Sequence, residues 1–202
     1  MNTITQLFAL FITCTLLNSC KKQEPQVQST ANVLTNGDFE ASPYQDWISS
    51  SYKAATTNPN NYSVVYTTDA ASSPTHSIKI SLNASPSDTT FHVFQQVINQ
   101  TTKSIPTGAK LTLKVKIKTA NLQGNGVSLV IGGNRGGDAN YAPTFYTSTE
   151  GKISIVGTND FKEYSLTFDA LPANTSTLYV ALFYLPKTTG TVYYDDVSLS
   201  VN

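Results

Sequence analysis

Leu111-Thr112-Leu113-Lys114-Val115-Lys116-Ile117-Lys118 is the stretch whose reading decides the fold. Apolar residues alternate with one threonine and three lysines. In a strand, successive side chains point to opposite faces, so Leu111, Leu113, Val115 and Ile117 share one face and the lysines share the other. That pattern belongs to a half-buried antiparallel strand. Working outward, Ser77 to Leu82 alternates in the same way. Phe91 to Ile98, Val127 to Ile131, Lys152 to Val156, Tyr164 to Phe168, Leu178 to Leu185 and Thr191 to Val201 continue the series. Turn signals separate them: Pro106-Thr107-Gly108, Gly124-Asn125-Gly126, Gly132-Gly133-Asn134, Leu171-Pro172 and Thr188-Thr189-Gly190. Many short strands at this spacing predict an all-β chain, a two-sheet antiparallel β-sandwich over residues 32–202. The segment 132–150 is read as one long glycine-rich loop. It lacks the G-K-[ST] ending of a phosphate loop, and its length suits a binding loop.

The N-terminal end reads differently. Ile4 to Leu17 is nearly unbroken apolar or small sequence, shorter than the roughly 20 residues a membrane-spanning helix needs. It fits the apolar region of a secretory signal. It closes on Leu17-Asn18-Ser19-Cys20, which resembles a bacterial lipobox. Residues 1–19 are therefore expected to be a lipoprotein signal peptide, with Cys20 lipidated and residues 20–31 a polar, Pro25-containing tether. This predicts an exported protein held by lipid on the outer membrane; Lys21-Lys22-Gln23-Glu24 lacks the Asp linked to inner-membrane retention. The chain has two cysteines, Cys14 and Cys20, so the domain itself has no thiol and no disulfide. Such a domain needs a good core or a bound metal.

Charge and motif content narrow the function. Thirteen basic and thirteen acidic residues balance to zero, leaving no basic stripe to follow a nucleic-acid backbone. Neutral surfaces rich in Ser, Thr and Asn suit neutral ligands such as sugars. The two histidines, His76 and His92, sit in no nucleophile or zinc motif: G-x-S-x-G and H-E-x-x-H are both absent. The expectation is a non-enzyme. A carboxylate pair for glycoside hydrolysis has no local signature, so a small glycosidase or lyase is the least favoured alternative. A structural or adhesive lipoprotein making protein–protein contacts stands between the two.

Three segments carry a resemblance to the jelly-roll (galactose-binding-like) carbohydrate-binding modules associated with xylanases and cellulases. Asn32-Val33-Leu34-Thr35-Asn36-Gly37-Asp38-Phe39-Glu40, followed by Trp47, is similar to their N-terminal signature. Ser104 to Leu113 resembles their turn-to-strand unit, with Thr107 inserted and Leu111 in place of the usual Tyr. Gly190-Thr191-Val192-Tyr193-Tyr194-Asp195-Asp196-Val197-Ser198-Leu199 resembles their last strand. The resemblance implies a jelly roll with Trp47 in the core. It also implies a structural calcium held by Glu40, Asp195, the Asp38 carbonyl, and the His76 and Ser77 carbonyls. Strand parity independently points Asp195 the same way as Val197, Leu199 and Val201, where a carboxylate needs a partner or a metal.

The implied function is noncovalent binding of a polysaccharide or oligosaccharide near the cell surface, for glycan-degrading or importing partner proteins. Sugars take aromatic platforms for their C–H faces and polar side chains for their hydroxyls. Leu178, Val180 and Leu182 read as core, which turns Tyr179 and Phe183 outward. Aligning Phe94-Gln95-Gln96-Val97 with the family's strand puts Val97 in the core and frees His92, Phe94 and Gln96. Lys114 and Lys116 are expected on a neighbouring strand, with Arg135, Tyr141 and Tyr146 flanking the patch.

Overall fold

The structure, a computed structural model, describes residues 32–52, 62–82, 89–136 and 143–202. The expected leader, Cys20, the tether and Tyr141 lie outside the described residues. Among the described residues, ten strands follow a 3₁₀ turn at Pro43–Gln45: β1 Ile48–Tyr52, β2 Tyr62–Thr67, β3 Ser77–Leu82, β4 Phe91–Asn99, β5 Leu111–Gln123, β6 Val127–Asn134, β7 Pro143–Ser148, β8 Gly157–Phe168, β9 Thr177–Tyr184 and β10 Thr189–Val201. They form two five-stranded sheets, ordered β1-β4-β9-β6-β7 and β2-β3-β10-β5-β8. Every pairing is antiparallel. The β-sandwich expected from the alternating pattern is therefore the fold.

Strand β5 shows why. Leu111, Leu113, Val115 and Ile117 are all buried, while the intervening lysines reach solvent. They meet Leu129, Ile131, Leu178, Val180 and Leu182 of the facing sheet in one core cluster. Each such aliphatic side chain contributes about 1.5–3 kcal/mol by leaving water. An aromatic knot closes one side: Trp47 stacks on Phe94 at 5.3 Å and 3°, and Phe39 meets Trp47 edge-on at 5.3 Å. Trp47 is a core residue, as the resemblance implied, and its Nε1 donates to the Thr35 carbonyl at 3.2 Å. The two ends of the domain are sewn together by Asn32, whose Oδ1 accepts from Leu199 N and whose Nδ2 donates to the Val197 carbonyl.

Three expectations need correction. Lys152 to Val156 is not a strand. Lys152 N and Ile153 N both donate to the Thr149 carbonyl, curling the chain into a turn that Gly151 completes at φ +71. Strand β8 begins only at Gly157. Segment 132–150 is not one loop, because β6 runs on to Asn134 and β7 occupies Pro143–Ser148. Finally, Asp195 does not point into the sandwich. Its register partner on β5 is Lys116, whose side chain is on the outer face, and a bulge then lets three steps of β10, to Ser198, match two of β5, to Lys114. Asp196 takes φ +48 there. A bulge shifts strand parity by one, so Asp195 and Val197 face opposite ways.

Candidate functional site

The outer face of the β1-β4-β9-β6-β7 sheet carries a groove of about 610 Å³, within the range of small-ligand sites. It is lined by Tyr52, Phe91, Val93, Gln95, Val97, Asn134, Thr177, Tyr179 and Phe183. Alternation along three strands produces it. Phe91, Val93, Gln95 and Val97 share one side of β4, and Thr177, Tyr179, Ala181 and Phe183 share one side of β9. Register places Val93 beside Phe183, Gln95 beside Ala181, and Val97 beside Tyr179. Strand β6 adds Val130 beside Ala181 and Gly132 beside Tyr179.

Small side chains thus form a floor between two aromatic walls. One wall is a ladder in which Tyr52 stacks on Phe91 at 5.1 Å and 14°, and Phe91 on Phe183 at 5.8 Å and 24°. The other is Tyr179, with the half-exposed Tyr146 beyond it on β7, opposite Gly132. Val93, Val130 and Ala181 are buried there as a second apolar cluster, separate from the main core. Phe91, Tyr179 and Phe183 pack over this cluster and cover it, so the outer face of this sheet is apolar where an antiparallel sheet's exposed face is ordinarily polar. Its polar groups are Gln95, Asn134 and Thr177; none of the nine lining residues carries a charge. Burial and the nearby Tyr146 raise the Tyr179 phenol pKa above its ordinary value.

The residues expected to bind sugar divide accordingly. Tyr179 and Phe183 line the groove, Tyr146 flanks it, and Arg135 follows the lining residue Asn134 as an exposed side chain. His92, Phe94 and Gln96 do not face it. They point inward, because β4 turns the opposite parity to the core. Phe94 is fully buried against Trp47. Gln96 is a clamp: its Oε1 accepts from Thr35 N and its Nε2 donates to Thr35 O, each at 2.8 Å. His92 lies buried between the Ser49 and Ser51 hydroxyls, at 3.1 and 2.9 Å, with its ring against Tyr62. Val97, expected in the core, is 44% exposed. Lys114 and Lys116 lie on the other sheet, paired with Glu163 at 2.9 Å and Asp196 at 2.9 Å. Sequence reasoning missed Tyr52, Phe91, Gln95, Asn134 and Thr177. For Phe91 and Gln95 the signal was present, since they share the parity rejected for β4.

A second constellation joins the chain's ends. Asp195 is fully buried beneath the Ser72–Ser73 turn. Its Oδ2 accepts from Ser72 N and Ser73 N at 2.6 and 2.8 Å. Its Oδ1 accepts from Asp196 N and from Ser73 Oγ. The Ser73 hydroxyl lies 2.8 Å from Asp195 Oδ1, 3.0 Å from the Asp38 carbonyl and 3.3 Å from Glu40 Oε1. Glu40 also accepts from Thr75 N, Thr75 Oγ1 and His76 N. These donors, the Thr75 hydroxyl foremost, lower its pKa to about 2.

Two carboxylates and a carbonyl gathered around the Ser73 hydroxyl are hard oxygens of the kind calcium takes, and here both carboxylates accept hydrogen bonds from protein donors. Among the described residues no three His, Cys, Asp or Glu side chains cluster as metal ligands, so backbone and hydroxyl oxygens would have to complete the shell. His76 enters through its N–H, and the Ser77 hydroxyl donates to the Ala70 carbonyl.

No protein-family profile matches the chain, and no curated protein matches it. Solved structures do. A family 4 carbohydrate-binding module (CBM4) superposes with a TM-score of 0.53 at 17% identity, covering 84% of this chain and 99% of that one. The xylan-binding domain of a family 22 module superposes at 0.51 and 15% identity, covering 85% and 96%. The enzymatically active domain of tailspike protein 4 from bacteriophage CBA120 superposes at 0.56 and 16% identity. This chain spans 21% of that tailspike chain. The shared feature is the fold: the chain has the same β-sandwich as these structures.

Proposed function

We propose that this chain is a non-catalytic glycan-binding module, stabilised by calcium and held to the bacterial outer membrane by lipid on Cys20. The observation that carries the glycan reading is the uncharged aromatic groove on the outer face of the β1-β4-β9-β6-β7 sheet. Its aromatic side chains suit the C–H faces of sugar rings, and Gln95, Asn134 and Thr177 suit their hydroxyls. The likeness to carbohydrate-binding modules in fold supports the same reading.

Binding is adsorption: ring stacking displaces water, amides and hydroxyls fix orientation, and no bond is broken. Glycoside hydrolysis needs two carboxylates about the scissile bond, roughly 5–9.5 Å apart; the groove's lining residues include none. Calcium, where bound, would be held by Glu40, Asp195 and the Asp38 carbonyl, and would tie the first residues of the domain to its last strand. The ligand is a neutral polysaccharide presented at the cell surface to degrading or importing partners.

A glycan-array screen of the purified protein with calcium present tests the function. Retention of one class of neutral polysaccharide is the expected result. A folded protein that retains none would overturn it in favour of an adhesive role.

A further inference from the structure

The geometry points to the open edge of β2 as a self-association surface, at which a second copy of this chain pairs antiparallel with the first. The edge strands of the two sheets are protected unequally. In the β2-β3-β10-β5-β8 sheet the far edge is β8, which carries Asp160, Lys162 and Glu163. In the other sheet β7 opens on Pro143, and β1 is five residues long, three of them serine. Charges, prolines and shortness are how an edge resists pairing with another chain. Strand β2 has none of these. Tyr62-Ser63-Val64-Val65-Tyr66-Thr67 holds no charge, no proline and no glycine. Its β-branched and aromatic residues are the composition that most readily extends a sheet, and Val65 is 42% exposed. Among the described residues β2 pairs with β3 alone, and no backbone hydrogen bond joins it to any other segment. A strand paired on one side only presents a row of open N–H and C=O groups on the other.

The order of residues is self-complementary. Two copies of one strand pair antiparallel about a twofold axis perpendicular to the sheet. Facing residues lie on the same face, so one residue sits on the axis and meets itself. Tyr62, Val64 and Tyr66 pack against the core, which leaves Ser63 and Val65 on the outer face. With Val64 on the axis, Tyr62 meets Tyr66 on the inner side and Ser63 meets Val65 on the outer side. No like charges face one another, and aromatic and β-branched pairs are of the stabilising kind.

Two further features favour a second copy as the occupant. The formal net charge is zero, so copies do not repel at long range. The charged β8 edge opposes further addition, so the assembly closes as a twofold dimer and does not propagate as a fibre. A perpendicular axis also keeps like faces on one side. Where the groove binds glycan, a consequence that rests on the function proposed above, two grooves open the same way and one polysaccharide can be held at both.

Sedimentation equilibrium of the purified protein over a range of concentrations tests the proposal, on wild type and the variants S63E/V65E and S63K/V65E. Thermal midpoints check that each variant folds. Positions 63 and 65 face each other twice across the axis, while within one copy the V65E carboxylate lies beside Lys79. Wild type should move from monomer to dimer as concentration rises. S63E/V65E sets like charges against each other twice, and should raise the dimer Kd by about tenfold or more. S63K/V65E sets opposite charges against each other, and should return it to within about threefold of wild type. A wild type that stays monomeric at every concentration overturns the assignment. So does a dimer that folded S63E/V65E leaves intact, or a folded S63K/V65E that dimerises no more tightly than S63E/V65E. Each of those results leaves the glycan reading untouched, because none of the groove's lining residues is altered.

Discussion

His92 illustrates how a polar residue can be wholly structural. Its ring is buried between two serine hydroxyls, and burial drives its pKa from 6.5 down to about 4. The folded protein thus holds it neutral over a range where the unfolded chain takes up a proton. Stability from the neutral state is complete above pH 6.5 and falls as pH drops toward 4, by up to about 3 kcal/mol. Thermal midpoints measured from pH 7 to pH 4 should therefore decline, and H92Q should flatten that decline; an unchanged slope would mean that His92 is hydrated. At this scale sequence was only half legible. His92, Phe94 and Gln96 had to be weighed against Phe91, Gln95 and Val97, and both sets mix apolar with polar residues. The choice was settled by Phe94, whose ring is needed against Trp47, and no local pattern reveals a partner that far along the chain.

Among the elements, β5 was the most legible, because its alternation is nearly unbroken and it faces one core. Strand β6 was harder to delimit. It is buried on both faces, closes on Gly132-Gly133-Asn134, and so reads as a short apolar run leading into a loop. Strand β10 misled at its bulge, since parity counted back from Leu199 passes through Asp196 and reverses. The outer face of the second sheet is a ladder of ion pairs: Lys114 with Glu163, Lys116 with Asp196, and Lys118 with Asp160. Exposed pairs of this kind contribute little, about 0–1 kcal/mol. The K114A/K116A variant should accordingly bind the array-selected glycan as wild type does, with denaturant midpoints shifted only slightly. A large loss of affinity would move the site to this sheet.

Across the whole molecule, the features that matter join residues far apart in sequence. Asn32 ties the first described residue to β10, and Ser73 gathers Asp38, Glu40 and Asp195 around one hydroxyl. With no cysteine after Cys20, this junction takes the place a disulfide would fill. Calcium that binds the native state alone would add about 2.7 kcal/mol at a hundredfold excess over its Kd. Calcium should then raise the thermal midpoint of the wild-type protein but not of an E40A/D195A variant, and EDTA should reverse the gain. Equal midpoints with and without calcium would leave the junction held by hydrogen bonds alone. Acid should loosen it as well. The hydrogen bonds that hold the Glu40 pKa near 2 stabilise the fold above pH 4.5 and are lost as pH falls toward 2, a window below that of His92. Composition and the end motifs made this scale legible in outline, whereas the groove emerged only when register set β4, β9 and β6 side by side.

The most direct test of the central claim is a titration of the isotope-labelled protein with an oligosaccharide of the array-selected class, followed by backbone and side-chain NMR shifts. Binding in the groove predicts shifts concentrated on Gln95, Val97, Asn134, Thr177 and Tyr179, with the lysine face of β5 silent. Shifts confined to that lysine face, or none at saturating sugar, would contradict the account.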